Sequence, residues 1–437
     1  MPRTKIFGMF AVFAAVVIFG TAVHAQLGPV RGVVLKLEAD GSKTPVTGAL
    51  VEPYRSDMSR GSAPSAKTNA RGEFTFAGFP LGNQYFLAVS GEGIEPVVYP
   101  NVRANMEGIE VLVRAGDGKR YTEDEARTAL VSVQKLIADN PEAAAEQKKQ
   151  EEAYQRELEK YNAAKKRAEQ THQIVSAALK DGDAAFQKRD YDLAISRFDE
   201  GINADPEFEG SAPVLLNYKG VALRMRGFSA YERSVRGDPA SRDAEMARAK
   251  ADFNASADTL GRGLHILDTK TNEDPKIREN MVNTRKSILT NFVETHRLLV
   301  LTKADRSRVK EAIPVYEEYF KVEADPALKL KAMVTLGDIL RESGEAEDAI
   351  NAYRRALEVD PSNYDSMAGL GLSLFNVGVV EDSTEKMQEG LNIMQQFADN
   401  APDSHPLKAS VREAVDYLKT EQKLTPQRRP APPRRRG

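Results

Sequence analysis

Between Val30 and Arg114 the chain shows short runs in which apolar and polar residues alternate, separated by Gly, Pro, Asn and Asp. Evenly spaced runs of this kind are typical of strands in an antiparallel sandwich, where each strand has one buried and one wet face. Gly72 directly precedes one run, at a place where a hairpin turn favours positive φ. The runs that predict strands are 30–37, 49–54, 73–76, 85–90 and 109–113.

From residue 119 to 170 the apolar positions change to helical spacing. Thr122 and Glu125 have the spacing of a capping box, and Asn140 followed by Pro141 indicates the start of a second helix. That second helix is dense in charged residues, with a thin apolar stripe through Tyr154. We interpret 119–170 as a charged helical linker that forms a semi-rigid arm. A dimerising coiled coil and packing against the following helices are the alternatives.

The stretch 171–424 repeats itself at a constant interval. The interval is clearest between Gly337 and Gly371, each of which is preceded by Leu and followed three positions later by Leu. A small residue at such a position lets two helices touch, while large residues fill the gap between them. We predict five helix–turn–helix units and an amphipathic capping helix over 407–424. Two units are degenerate, one starting at Pro213 with an insertion near 228–240, the other pairing 277–301 with 309–322.

These spacings resemble the tetratricopeptide repeat, a helix–turn–helix unit of about 34 residues. The clearest unit carries Met333, Leu336, Gly337, Leu340, Gly344, Ala349, Tyr353, Ala356 and Pro361 at the places that this repeat gives to large and small residues. The resemblance implies a curved solenoid that binds peptides or proteins on the inner surface formed by the first helix of each unit. The Lys/Asn set that grips a terminal carboxylate in some chaperone-binding repeats does not appear.

The segment 26–118 resembles the carboxypeptidase regulatory-like domain. The resemblance is carried by four segments in order, 31–34, 44–51, 68–76 and 80–89, although Asn69 stands where that family usually has Asp. It implies a prealbumin-like β-sandwich of about seven strands. Because no peptidase accompanies it in this sequence, we expect the sandwich to be a spacer or an adhesion module.

The segment 1–25 has the pattern of a secretory signal. Arg3 and Lys5 precede an apolar run of about 15 residues, and Ala25 ends a small-residue cleavage site, so Gln26 is the expected new terminus. A retained membrane anchor is the alternative. The chain has no Cys, which is unusual for eukaryotic secretion. We therefore expect export to the periplasm or cell surface of a Gram-negative-type bacterium.

The last residues, 425–437, form a basic segment rich in Pro, and we expect it to be disordered. Its five Arg suggest contact with anionic lipid, envelope polysaccharide or nucleic acid, or a solubilising end without a ligand. The whole chain has 61 basic and 64 acidic residues, a net charge of −3, which argues against dedicated nucleic-acid binding.

Candidate catalytic chemistry is sparse in this sequence. The five His occur in no two-His metal motif, and the absence of Cys excludes thiolate metal sites and Cys nucleophiles. Ser132 and Lys135 have the S-x-x-K spacing of penicillin-recognising enzymes, but the partner motifs of that class are missing. We therefore expect no enzyme activity and no cofactor.

Two functions remain open from the sequence. The first is an exported scaffold that binds protein or peptide partners through the inner surface of the repeats, and the oligomeric state stays open. The second is envelope or carbohydrate attachment through the sandwich and basic tail, for which Tyr54, Tyr85 and Tyr99 are the Tyr candidates in the sandwich. The inner-surface candidates of the first hypothesis are Asp183, Phe186, Asn217, Arg224, Lys331, Asp338, Arg341, Glu342, Phe375 and Asn376.

Overall fold

The computed structural model describes residues 27–58 and 60–427. The predicted signal segment and the five Arg of the tail lie outside these residues. The described chain forms two compact units, one up to Gln170 and one from Thr171. The first is a β-sheet region with flanking helices, and the second is a helical solenoid of the tetratricopeptide type.

The described part of the first unit contains eight strands in two sheets. In one sheet β1 pairs with β2, β5 and β8, and the other sheet has the order β4-β3-β6-β7. Every pairing is antiparallel except that between β1 and β8, which is parallel. The strands are β1 (Leu27–Leu37), β2 (Lys43–Pro45), β3 (Leu50–Arg55), β4 (Ala66–Lys67), β5 (Glu73–Pro80), β6 (Tyr85–Ser90), β7 (Val97–Val102) and β8 (Ile109–Val113).

Alternation along the strands builds the sandwich core. Phe74 and Phe76 point into it from β5, while Thr75 between them is exposed. Gly72, at φ +73°, forms the turn before this strand, and a Cβ there would lie 2.6 Å from the carbonyl oxygen of Val34. The predicted turn is therefore confirmed, because both its conformation and its surroundings require Gly.

The outer face of the second sheet is covered by α1 (Glu123–Ala138), which begins at the predicted capping box. Ala126 and Leu130 of α1 are buried against Tyr54 and Phe86 of the sheet. A helix that buries apolar side chains in this way contributes to the core of the unit. The segment that follows the strands therefore starts as part of the sheet region, whereas we had expected a solvated arm.

The next helix, α2 (Pro141–Gln187), also contacts the sheet region. The hydroxyl of Tyr154 accepts a hydrogen bond of 2.8 Å from the backbone N–H of Gly82. The Arg103 guanidinium lies over the Tyr154 ring, 4.4 Å from its centroid, and pairs with Glu151. The apolar stripe through Tyr154 thus packs on the sandwich, a partner that was not among the alternatives considered for it.

The second unit is built of helix pairs. The end of α2 pairs with α3. The pairs α4–α5, α6–α7, α8–α9 and α10–α11 follow, so the five predicted units are present in the described chain. The last helix, α12, lies within the predicted capping segment and buries Val411, Ala414, Val415 and Leu418. The helices are α3 (Tyr191–Ala204), α4 (Ala212–Arg236), α5 (Arg242–Thr269), α6 (Pro275–Leu301), α7 (Val309–Val322), α8 (Pro326–Glu342), α9 (Ala346–Val359), α10 (Tyr364–Val380), α11 (Thr384–Asn400) and α12 (Lys408–Thr420).

Close contacts between Gly and aromatic rings hold the regular pairs together. A Cβ on Gly337 of α8 would lie 2.5 Å from the ring of Tyr353 on α9. Gly182 faces the ring of Phe198 in the same manner, and the two members of each pair are equally far apart in the sequence. The small–large pattern seen in the sequence is therefore the contact between the two helices of a unit.

Two details of the repeats differ from the sequence expectation. The insertion near 228–240 mainly lengthens both helices of its unit, since α4 continues to Arg236 and α5 begins at Arg242. In the last unit, the first helix keeps the repeat interval but the second is delayed by about one helical turn. The residue before α9 is Glu345, and the residue before α11 is Ser383. The sequence separation between these two residues is larger than the repeat interval from Gly337 to Gly371.

Candidate functional site

The first helices of successive units line one surface of the solenoid. Along the described chain α4 packs on α6, α6 on α8, α8 on α10 and α10 on α12, whereas the second helices make no comparable contacts with one another. Helices that approach each other more closely lie on the inner side of a curved stack. This surface is here called the inner surface. Of the ten residues proposed from the sequence, eight lie on α4, α8 and α10, which line it, and Asp183 and Phe186 lie on α2.

At the centre of the inner surface, side chains of α4 bond to α6. The guanidinium of Arg224 donates to the backbone oxygen of Asn291 at 2.9 Å and to its side-chain oxygen at 3.1 Å. The amide nitrogen of Asn291 donates in turn to the side-chain oxygen of Asn217 at 2.9 Å. Burial lowers the pKa of Arg224. The structure therefore brings Asn217 and Arg224 together through one residue of the next unit.

Beside this group, α6 contributes an ion pair. Arg297 donates to both carboxylate oxygens of Glu294, at 2.6 and 2.8 Å, and about a third of each side chain is exposed. Burial alone would raise the pKa of Glu294. The bond to Arg297 and the charges of Arg224 and Lys331 outweigh burial and hold this pKa below its ordinary value. Lys331 itself is exposed and has no ion-pair partner among the described residues.

Further along α8, three candidates are occupied by contacts within the protein. The carboxylate of Asp338 accepts from the hydroxyl of Tyr353 at 2.7 Å, and the Nε of Arg341 donates to the same hydroxyl at 3.4 Å. Burial raises the pKa of Asp338, partly offset by the Tyr353 bond. Glu342 pairs with Arg341 at 3.0 Å and with Arg306 at 3.6 Å. These side chains stabilise the unit, and only their remaining exposed atoms can meet a ligand.

The candidates near the ends of the solenoid stand apart from this centre. Asp183 accepts only a 3.3 Å bond from Gln187, within the same helix. Phe186 is half-buried and packs edge-on against Tyr191, with ring centroids 5.6 Å apart.

On α10, Phe375 packs edge-on against Tyr417 of the capping helix, with ring centroids 5.7 Å apart. Asn376 is exposed. The sequence reasoning missed the three residues that α6 contributes to the centre, which are Asn291, Glu294 and Arg297. The sequence signal for Glu294 and Arg297 was their i, i+3 spacing, but they lie in a unit whose repeat positions were poorly defined.

The Tyr residues considered for glycan binding are placed differently. Tyr54 and Tyr85 are buried, with 8% and 4% of their surface exposed, and Tyr99 is half-buried. They therefore form no exposed aromatic platform. In the described residues no three His, Asp or Glu side chains are grouped to hold a metal ion, and no described helix is long and apolar enough to cross a bilayer.

Residues 337–378 match the family described as TPR repeat. Over 89 residues, 20% of the chain, the sequence is 27% identical to the photosystem I assembly protein Ycf3 of Synechococcus sp. (strain CC9902), of which the match spans about half, 51%. The family match falls on α8, α9 and α10, so tetratricopeptide repeats are confirmed in this part of the chain.

Two solved structures are similar at low identity. YrrB, described as a TPR protein with an unusual peptide-binding site, is 15% identical, and the alignment covers 53% of this chain and 88% of that one with a TM-score of 0.31. A putative carbohydrate binding protein from Pseudomonas aeruginosa is 14% identical, with 21% and 89% covered and a TM-score of 0.15.

Proposed function

We propose that the protein is a non-catalytic exported scaffold that binds protein or peptide partners through the inner surface of its repeats. One observation carries the proposal: α4, α6, α8 and α10 pack side by side and present partly exposed polar side chains along one continuous surface. Extended surfaces of stacked helices are the binding faces of repeat proteins. The residues that match the TPR repeat family include parts of α8 and α10, two of the helices that line this surface.

Export is proposed from the segment 1–25, where two basic residues, an apolar run and a small-residue site follow one another. The compartment that fits a chain without Cys is a bacterial periplasm or cell surface. Mass spectrometry of the protein recovered from its cell reads the terminus directly, and Gln26 is the expected first residue. An intact Met1 in the membrane fraction would instead make the segment an anchor.

A steric block of the inner surface tests the binding proposal. Lys331 and Asn376 are exposed on α8 and α10, and a full-length double variant with Trp at both positions should lose the partners that the wild-type chain captures from an envelope extract. The matched control carries Trp at Asn351 and Glu358, which are exposed on the second helix α9. Captured proteins are quantified by mass spectrometry.

The control should retain every partner. If the inner-surface variant also retains them all, and removal of 428–437 abolishes capture, the repeats are not the binding site. Attachment through the basic tail then replaces the scaffold as the function.

A further inference from the structure

The centre of the inner surface carries more positive charge than its surroundings. Arg224 on α4, Arg297 on α6 and Lys331 on α8 surround one carboxylate, that of Glu294. We call these four residues the basic cluster. Its charges sum to +2, since Arg and Lys are protonated at neutral pH and the pKa of Glu294 is held below its ordinary value.

The single acid of the cluster is already committed. Both of its oxygens accept from Arg297, in the bidentate geometry that an Arg guanidinium and a carboxylate favour. Arg224 is bonded only to neutral oxygens of Asn291, and no carboxylate of the described chain lies within ion-pair distance of it. Lys331 is exposed and equally without such a carboxylate in the described chain. Two of the three positive charges therefore lack an anionic partner at ion-pair distance among these residues.

The other candidate residues on α8 and α10 show no such excess of positive charge. On the C-terminal half of α8, Asp338 and Glu342 accompany Arg341. On α10, the candidates Phe375 and Asn376 are uncharged. An anionic group approaching the inner surface thus meets its strongest attraction where α4, α6 and α8 adjoin.

We propose that the basic cluster binds a carboxylate side chain of an acidic peptide segment in the partner. The inference rests on the proposed function and adds the chemistry of the ligand. Arg224 has N–H groups beyond the two that Asn291 accepts, and the ammonium of Lys331 adds a mobile donor. Asn217, whose side-chain oxygen is occupied by Asn291, keeps its amide N–H groups for peptide carbonyls.

The positive charge of the basic cluster also argues against binding of the chain's own C-terminal segment. The segment 428–437 carries five Arg, so a positive cluster repels the chain's own terminus. Because the tail itself attracts anions, a test with an acidic probe has to remove the charge of the tail.

The test uses the full-length chain with its five tail Arg replaced by Gln. A fluorescein-labelled hexaglutamate peptide is titrated with this protein, and anisotropy is read at low and at physiological salt. Hexaglutamate should bind and hexaglutamine should not. Lys331→Glu should weaken binding on the order of tenfold, more at low salt than at high salt.

Lys329→Glu is the matched control. It makes the same charge change two positions earlier on α8, rotated by about 200° around the helix. This control should bind hexaglutamate like the parent chain. Lys331→Gln, which removes the charge without reversing it, provides the readout if Lys331→Glu does not fold.

The proposal is overturned if hexaglutamate fails to bind or if hexaglutamine binds equally well. It is also overturned if Lys331→Glu and Lys329→Glu weaken the binding of hexaglutamate to the same extent. The capture experiment with the Trp variants judges the scaffold separately. If the Trp variant loses the partners but Lys331→Glu retains them, the scaffold proposal stands. Only the proposal of an acidic ligand is then wrong.

Discussion

Two regions of the solenoid, α4–α6 and α8–α11, here called its two halves, differ in the polar groups buried between their helices. In α8–α11 small residues pack against large ones, as between Gly337 and Tyr353. In α4–α6, here called the polar half, small residues also meet large ones, as Gly220 meets Leu260, but the helices are longer and bury hydrogen-bonded hydroxyl groups as well. The hydroxyl of Ser256, fully buried on α5, donates to the carbonyl of Gly220 at 2.7 Å and lies 3.1 Å from the hydroxyl of Thr295.

The family match, 337–378, lies in the half without the buried hydroxyl pair. A sequence pattern of small and large residues records steric fit at fixed places. Buried hydroxyl groups can be satisfied from several neighbouring positions, so they leave a weaker pattern. The polar half therefore adds contacts that the repeat pattern does not record.

The largest effect is expected from bulk at a tight glycine. Gly337→Leu places a side chain where even a Cβ would lie 2.5 Å from the Tyr353 ring, and should lower the free energy of unfolding by about 3 kcal/mol. In the other half, the nearest atom to a Cβ on Gly261 of α5 is 3.7 Å away, on the Phe292 ring. Gly261→Ala should therefore stabilise the protein by about 0.5–1 kcal/mol, through its helix propensity.

Denaturant titration of both variants checks this contrast. The exposed Glu358→Ala on α9 serves as the neutral reference. Glu345, the residue before α9, would be an unsuitable reference because it is half-buried and pairs with Lys310. Similar destabilisation at Gly337 and Gly261 would contradict the difference in packing around these two glycines.

The second largest effect is expected in the polar half, where lowering the pH should reduce stability through His296. His296 is 1% exposed and stacked on Phe292, and its Nε2 has no hydrogen-bond partner among the described residues. Burial, helped by the charge of Arg308, lowers its pKa to about 4. The unfolded chain binds a proton at this residue near pH 6.5, so the contribution of neutral His296 is full above that pH and is lost as pH falls toward 4.

Between pH 7 and pH 5 this loss amounts to about 2 kcal/mol for a single such group. Measured by urea unfolding at both pH values, His296→Leu should reduce the pH dependence by that amount relative to wild type. An unchanged pH dependence in the variant would mean that the imidazole is protonated in the fold.

The smallest effect is expected from Gly substitutions in the turn that follows the first helix of a unit. Here both halves of the solenoid should gain stability. Lys303 and Asp382 have φ of 60° and 53°, in the left-handed region that Gly344 occupies in the regular unit. Lys303→Gly should raise the unfolding free energy by about 1 kcal/mol, and Asp382→Gly by less, because Asp tolerates this conformation better. Thermal melts are sensitive enough to rank them, and destabilisation by either would contradict the turn geometry.

Much of the fold followed from the sequence because steric rules leave regular traces. The strand over 109–113 and the Gly337–Tyr353 contact are placed as the alternation and spacing predict. The delay in the last unit was missed because Gly378 stands one repeat interval after Gly344 and imitates the turn position. In the structure Gly378 lies inside α10, and the turn conformation passes to Asp382.

The sequence predicted which helices carry the candidate residues, but not the residues that they contact. The spacing placed Asn217 and Arg224 on one face of α4, and the structure joins them. That Asn291 would bridge them depends on how far α6 slides along α4, which helix periodicity does not determine. The contact of Tyr154 with Gly82 was missed for a related reason. An apolar stripe on a helix predicts that one face is buried, but not which part of the protein covers it.

Tyr353 has a consequence for how the repeats open. Its ring is covered on one side by Gly337 of α8 and contacts Gly369 of α10, so one side chain is shared by two successive units. Neither α8 nor α10 can separate from α9 without exposing this ring to water. Local opening should therefore involve the three helices as one cooperative unit, and protection of their amide protons from solvent exchange should rise and fall together.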